Sequence, residues 1–210
     1  MDWFRRKSWS KADEAEFFEK LGRSRKSSRA QYLKIQGIEL LEAKDASLLT
    51  AAEGLLRQVL QDYPNDLFQR ASTLHTLAEL ELQRGDWTKA LQYLEQALEA
   101  EQQFPQVKTQ AYLDYSEQVV KQRLVERYGA VESLLKERAE MLMFPVEKYK
   151  AYSILAIIAS FQGKAELSRR FADLAEKYAT AKTSGFRYHQ SLGLVERRDD
   201  ELDQMTRKHD

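Results

Sequence analysis

Residues 71–104 read ASTLHTLAELELQRGDWTKALQYLEQALEAEQQF, and the spacing inside this stretch decides the fold. Leu74, Leu77, Ala78, Glu81 and Leu82 fall at i, i+3, i+4, i+7 and i+8, one helical face that is apolar except at Glu81. Gly85 ends the pattern with the residue type that accepts a left-handed conformation after a helix C-terminus. Asp86 then has the short acceptor side chain of an N-cap. Ala90, Leu91, Leu94, Ala97 and Leu98 restore the helical period up to Pro105. The stretch is therefore expected to form two antiparallel helices joined by a tight turn.

Working outward, the same beat recurs. The chain has 3 prolines, Pro64, Pro105 and Pro145, and each follows a long helical pattern. Small residues keep a similar spacing: Gly37, Ala78, Ser116 and Ala156 in the first helix of each pair, and Ala52, Ala90, Ala130 and Ser168 in the second. Four residues before the first set stand Leu33, Leu74, Tyr112 and Tyr152. A large and a small residue one turn apart let two helices approach closely and interlock.

Residues 71–104 resemble a tetratricopeptide repeat. The resemblance lies in the large-x-x-Leu-small opening (Leu74, Leu77, Ala78), the Gly-Asp-aromatic turn (Gly85, Asp86, Trp87) and the later Ala90, Leu94 and Ala97. Residues 31–64 keep Gly37, Ala52, Leu56 and Pro64, with extra residues between the helices. Residues 150–178 keep Tyr152, Ala156, Gly163, Ala172 and Ala175, and residues 110–144 keep the spacing with Ser116, Ala130 and Leu134. The repeat is longer than the ~34 residues of the standard unit, as longer helices or loops would make it. The resemblance implies an all-α, right-handed α-solenoid of about four antiparallel helix pairs with capping helices at both ends. Residues 1–26 read as a short N-terminal helix and basic arm, 27–181 as the repeats, and 182–210 as a capping helix and charged tail.

At the N-terminal end, Ser10 to Asp13 has the form of a capping box, followed by Phe17, Phe18 and Leu21 and closed by Gly22. Trp3, Phe4, Trp9, Phe17 and Phe18 cluster here, to pack against the first repeat or to act as a recognition arm. At the other end a last helix is expected to carry Phe186, Leu192, Leu194 and Val195, then Leu202 and Met205. Its charged residues would form the solvated outer face that a repeat array needs at its end.

Composition supports the helical reading: 28 Leu and 23 Ala stand against 13 Val plus Ile, favouring helix over strand. With no cysteine, the chain lacks a disulfide framework, a thiolate metal site and a thiol nucleophile. No apolar run approaches the ~20 residues that cross a bilayer, and no h-region follows the first basic residues. A cytoplasmic protein is expected. His75, His189 and His209 lie far apart, and no phosphate loop, HExxH or GxSxG motif occurs. No enzyme, no cofactor and no metal are expected.

What remains is binding to another macromolecule. The resemblance implies that Ser72, His75, Glu79 and Gln83 face the inner side of the stack. By the same offsets so do Lys34 and Ile38, Gln110, Leu113 and Glu117, and Lys150, Ser153 and Ile157. This lining departs from the basic and asparagine set with which chaperone-binding members clamp a C-terminal carboxylate. Charge is balanced overall, 33 Lys+Arg against 33 Asp+Glu, but uneven along the chain. Lys20, Arg23, Arg25, Lys26, Arg29 and Lys34 form a run without acids, whereas residues 79–101 carry an acidic excess. Such opposite stretches steer charged partners or permit self-association.

Three functions follow from these features. The first is a scaffold or adaptor that holds a partner peptide or helix in the groove. The second is a regulatory or immunity-type inhibitor that covers a partner's active surface through the acidic stretch. The third is a binder of anionic surfaces, lipid or nucleic acid, through Arg23, Arg25, Lys26 and Arg29, unless that block is a solvated loop capped at Ser27 or Ser28. A neutral overall charge and a single interleaved Tyr32 disfavour nucleic acid.

Overall fold

The computed structural model describes residues 2–207, so His209 lies outside the described residues. These residues are all-α: ten α-helices and no strand occur among them, consistent with an α-solenoid. They divide into two compact units, Met1–Ala111 and Tyr112–Asp210.

The first unit opens with α1 (Lys11–Arg23) and continues through α2 (Lys26–Glu42), α3 (Leu49–Asp62), α4 (Leu67–Arg84) and α5 (Trp87–Gln103). Helices α2 and α3 pack as one pair and α4 and α5 as the next. In the α4–α5 turn, Gly85 takes φ +80° as expected, and the Asp86 N–H donates to Glu81 O at 2.9 Å. The Asp86 side chain then caps α5 by accepting the Lys89 N–H. Glu81, the odd polar residue of the stripe, is buried and paired with Arg84, which also reaches Glu53 of α3 at 2.6 Å. In the α2–α3 pair Gly37 lets the helices touch, because a Cβ there would lie 2.8 Å from Leu56 Cγ.

The N-terminal aromatics belong to the core of this unit. Phe17 is fully buried, in ring contact with Trp3, Trp9 and Phe18, while Phe4 stacks on Tyr32 of α2. The backbone of Arg6 exchanges two hydrogen bonds with the buried Gln36 side chain, pinning the segment to α2. The capping box forms as read: Ser10 Oγ accepts the Asp13 N–H, and Asp13 accepts the Ser10 N–H. Hydrogen bonds from Ser10, with help from Arg6, hold the Asp13 carboxyl down at about 2. Since this lies below the ordinary 3.8, the stabilisation is present above pH 3.8 and lost as pH falls toward about 2. The stability difference between wild type and Asp13→Asn, from denaturant unfolding at each pH, is therefore expected to close across that window.

The second unit contains α6 (Ala111–Lys121), α7 (Tyr128–Glu137), α8 (Pro145–Phe161), α9 (Ala165–Ala179) and α10 (Asp200–Arg207). Pro145 opens α8, where its missing N–H leaves no helix bond unmade. Helices α8 and α9 pack as a pair. Gly163 turns the chain at φ +73°, Ser168 Oγ donates to Ala156 O, and Tyr152 stacks on Phe171 and Tyr178.

Two expectations are corrected here. In the third pair Ala130 is exposed, and Tyr128, Val131 and Leu135 face the core instead. Arg123 at φ +53° and a 3-10 turn at Val125–Arg127 precede α7 and change its rotation. No helix carries Phe186, Leu192, Leu194 and Val195: residues 180–199 are irregular, with Gly185 and Gly193 at positive φ, and the final helix begins only at Asp200.

Candidate functional site

In the first unit, Ser72, His75, Glu79 and Gln83 line up along α4 at spacings of three and four, opposite its buried stripe. Glu79 and Gln83 are exposed, and Ser72 and His75 are half-buried. Lys34 is different. Its Nζ donates to Ser72 Oγ at 2.8 Å, so it bridges α2 to α4. Burial lowers its basicity against the opposing pull of Asp66. Ile38 is half-buried one turn further along α2, and Gln110 is exposed just ahead of α6.

In the second unit the residues expected on an open wall are closed off. Leu113 is 4% exposed, Glu117 7%, Ser153 1% and Ile157 3%. Ser153 lines a cleft with Ala172, Ala175 and Glu176 of α9 and with Asp203, Thr206 and Arg207 of α10. Lys150 and Lys121 share Glu117, each at 2.7 Å, and Lys121 also holds Asp199 at 2.6 Å. Burial alone would lower both ammonium groups, but the carboxylates around them outweigh it and hold both above the ordinary value. The physical reason for this correction is that neighbouring elements lie beside these helices and take up sides that helical period leaves unassigned. Lys34 meets α4 in this way, and Ser153 meets α10.

The tetratricopeptide-repeat family model matches residues 43–110, which span α3, α4 and α5. Over these residues the chain is similar to tetratricopeptide repeats. No curated protein and no solved structure matches it. The matched part carries the α4 line from Ser72 to Gln83, and that line has one residue the sequence reading missed. Phe68 lies four residues before Ser72 and seven before His75 on the same line, and it is 60% exposed with its ring against Phe104. Its spacing was the available signal, but it precedes the first recognisable repeat position, Ala71.

The charged stretches are largely used internally. Lys20 pairs with Glu16, Arg23 with Glu19, and Arg29 donates to the carbonyls of Gly22 and Ser24 at the end of α1. Arg25 and Lys26 are exposed. The block is not a loop capped at Ser27 or Ser28: α2 already begins at Lys26, with Arg25 as its N-cap and the Ser28 N–H closing on Arg25 O. Of the acids, Glu81 pairs with Arg84, Asp86 caps α5, and the buried Glu101 accepts the Thr109 N–H and hydroxyl at 2.7 Å. Among the described residues no group of three or more His, Cys, Asp or Glu could hold a metal ion, and no helix is long and apolar enough to cross a membrane.

Proposed function

We propose that this chain is a non-enzymatic, cytoplasmic protein-binding scaffold that takes a peptide or helix of a partner along the open face of α4. The observation that carries the reading is Phe68: an aromatic anchor 60% exposed at one end of a line through Ser72, His75, Glu79 and Gln83. Binding energy at protein interfaces concentrates in such aromatic anchors, and polar neighbours fix register. From Phe68 to Gln83 the line is roughly 22 Å long at 1.5 Å per residue, which suits four turns of a partner helix or a short extended peptide. The opposite side of α4 is packed into the first unit, so the face is presented rigidly and little ordering entropy is lost on binding. The tetratricopeptide-repeat match supports a scaffold rather than a catalyst.

Phe68→Ala is expected to weaken capture of a specific partner by about tenfold or more, equivalent to about 1.4 kcal/mol. Exposed Gln92 on α5 is the control, and Gln92→Ala is expected to leave capture unchanged. Affinity purification from native cells with quantitative mass spectrometry makes the comparison. An unchanged set of partners in Phe68→Ala would remove the α4 face from the reading.

A further inference from the structure

The second unit holds its own C-terminal helix in a manner that differs from the α4–α5 and α8–α9 pairs, which turn tightly at Gly85 and Gly163. Helix α10 spans only Asp200–Arg207, too short to be stable as a helix alone. It is joined to α9 by the irregular segment 180–199 rather than by a tight turn. One residue, Leu202, is fully buried. Met205 is half-buried, and the contacts of Asp199 and Asp203 are polar.

Asp199 opens the helix: its Oδ1 accepts the N–H groups of Glu201 and Leu202, and its Oδ2 accepts from Lys121 of α6 at 2.6 Å. Asp203 accepts from the Tyr149 hydroxyl of α8 at 2.8 Å and from Arg198 at 2.6 Å. Tyr149 in turn accepts the Asp199 N–H at 3.1 Å, and Arg198 forks onto Glu176 of α9. The wall formed by Lys121 and Tyr149 thus holds two positions of the occupant, the N-capping Asp199, which both of them contact, and Asp203, which Tyr149 contacts, on either side of the fully buried Leu202.

We propose that this wall is a docking site for acidic helices of the Asp-x-x-Leu-Asp kind, and that α10 is its intramolecular occupant, exchanged for a partner helix of the same chemistry. The proposal rests on the reading of the chain as a protein binder and adds a second surface to the α4 face. The occupant is defined by charge complementarity to Lys121, by the hydroxyl of Tyr149 and by one leucine that is fully buried in the bound helix. Encounter of an acidic helix with Lys121 is slowed by salt, and reversing either charge leaves its partner uncompensated. A tethered occupant lowers the apparent affinity for an outside helix by the fraction of time the site is open.

The test uses the full chain and a fluorescent peptide of residues 196–207, ERRDDELDQMTR, followed by anisotropy. Leu202→Asp is expected to free the wall, so that the peptide binds at least about tenfold tighter than to wild type. Adding Lys121→Glu to that variant is expected to abolish binding, and high salt to weaken it. Peptide affinity equal in wild type and Leu202→Asp, or unchanged by Lys121→Glu, would overturn the proposal. If Leu202→Asp loses helicity in α8 and α9 by circular dichroism, hydrogen exchange on the wild-type chain decides. Amides of α10 exchanging well ahead of those of α8 support a detachable occupant, and exchange of both in one step makes α10 a fixed cap and overturns it. Neither measurement needs a cellular partner, so its failure leaves the Phe68 reading standing, and failure of the Phe68 test leaves these results interpretable.

Discussion

Phe17→Ala is expected to destabilise the first unit by about 3–5 kcal/mol, the range for removing a buried aromatic ring from a core. Phe17 is fully buried at the meeting point of α1, α2 and the N-terminal segment, where its ring touches Trp3, Trp9 and Phe18. Its loss leaves a cavity that these rings, tied through Arg6 to Gln36, cannot readily collapse to fill. Denaturant unfolding followed by tryptophan fluorescence reads the change, since Trp3 and Trp9 report on this contact. A cost near zero would mean that the aromatic segment is an arm lying outside the core.

The second large effect contrasts two alanines that the repeat pattern treats as equivalent. Ala90→Leu is expected to overpack the α4–α5 pair and cost about 1–3 kcal/mol, because Ala90 is fully buried. Ala130→Leu is expected to stay within about 0.5 kcal/mol, because that residue faces solvent. Thermal or denaturant unfolding of both variants makes the comparison. Equal costs would put α7 back in the register of the simple repeat.

The contrast shows where the sequence was legible. Gly85 and Asp86 are dictated by local backbone needs, a left-handed turn and an N-cap, and each stands where its residue type predicts, whereas Pro145, read as ending a helical pattern, instead opens α8. The α4 line of Ser72, His75, Glu79 and Gln83 came from the tetratricopeptide-repeat resemblance, with helical period placing the four on one side of the helix. The third pair did not: one residue of offset turns a helix by about 100°, and the positive φ of Arg123 introduces such a change without a glycine to announce it. Leu113, Ser153 and Ile157 were hidden for another reason. Periodicity marks the face a helix buries against its partner, but not which neighbouring element lies along the remaining sides, and Ser153 shares a cleft with α9 and α10. The connector 180–199 looked helical from its apolar residues, yet Gly193 O accepts the Val146 N–H, and a Cβ at Gly193 would strike the Phe144 ring at 2.5 Å. Close packing of backbone against ring set its path.

The most direct measurement is site-specific photo-crosslinking in native cells, with the photoreactive residue placed at Phe68, at Glu79 or at Gln92 in otherwise unchanged chains. Discrete adducts to the same partner from positions 68 and 79, and none from 92, are expected if the α4 face holds a partner. Adducts from position 92 alone, or equally from all three, would contradict it.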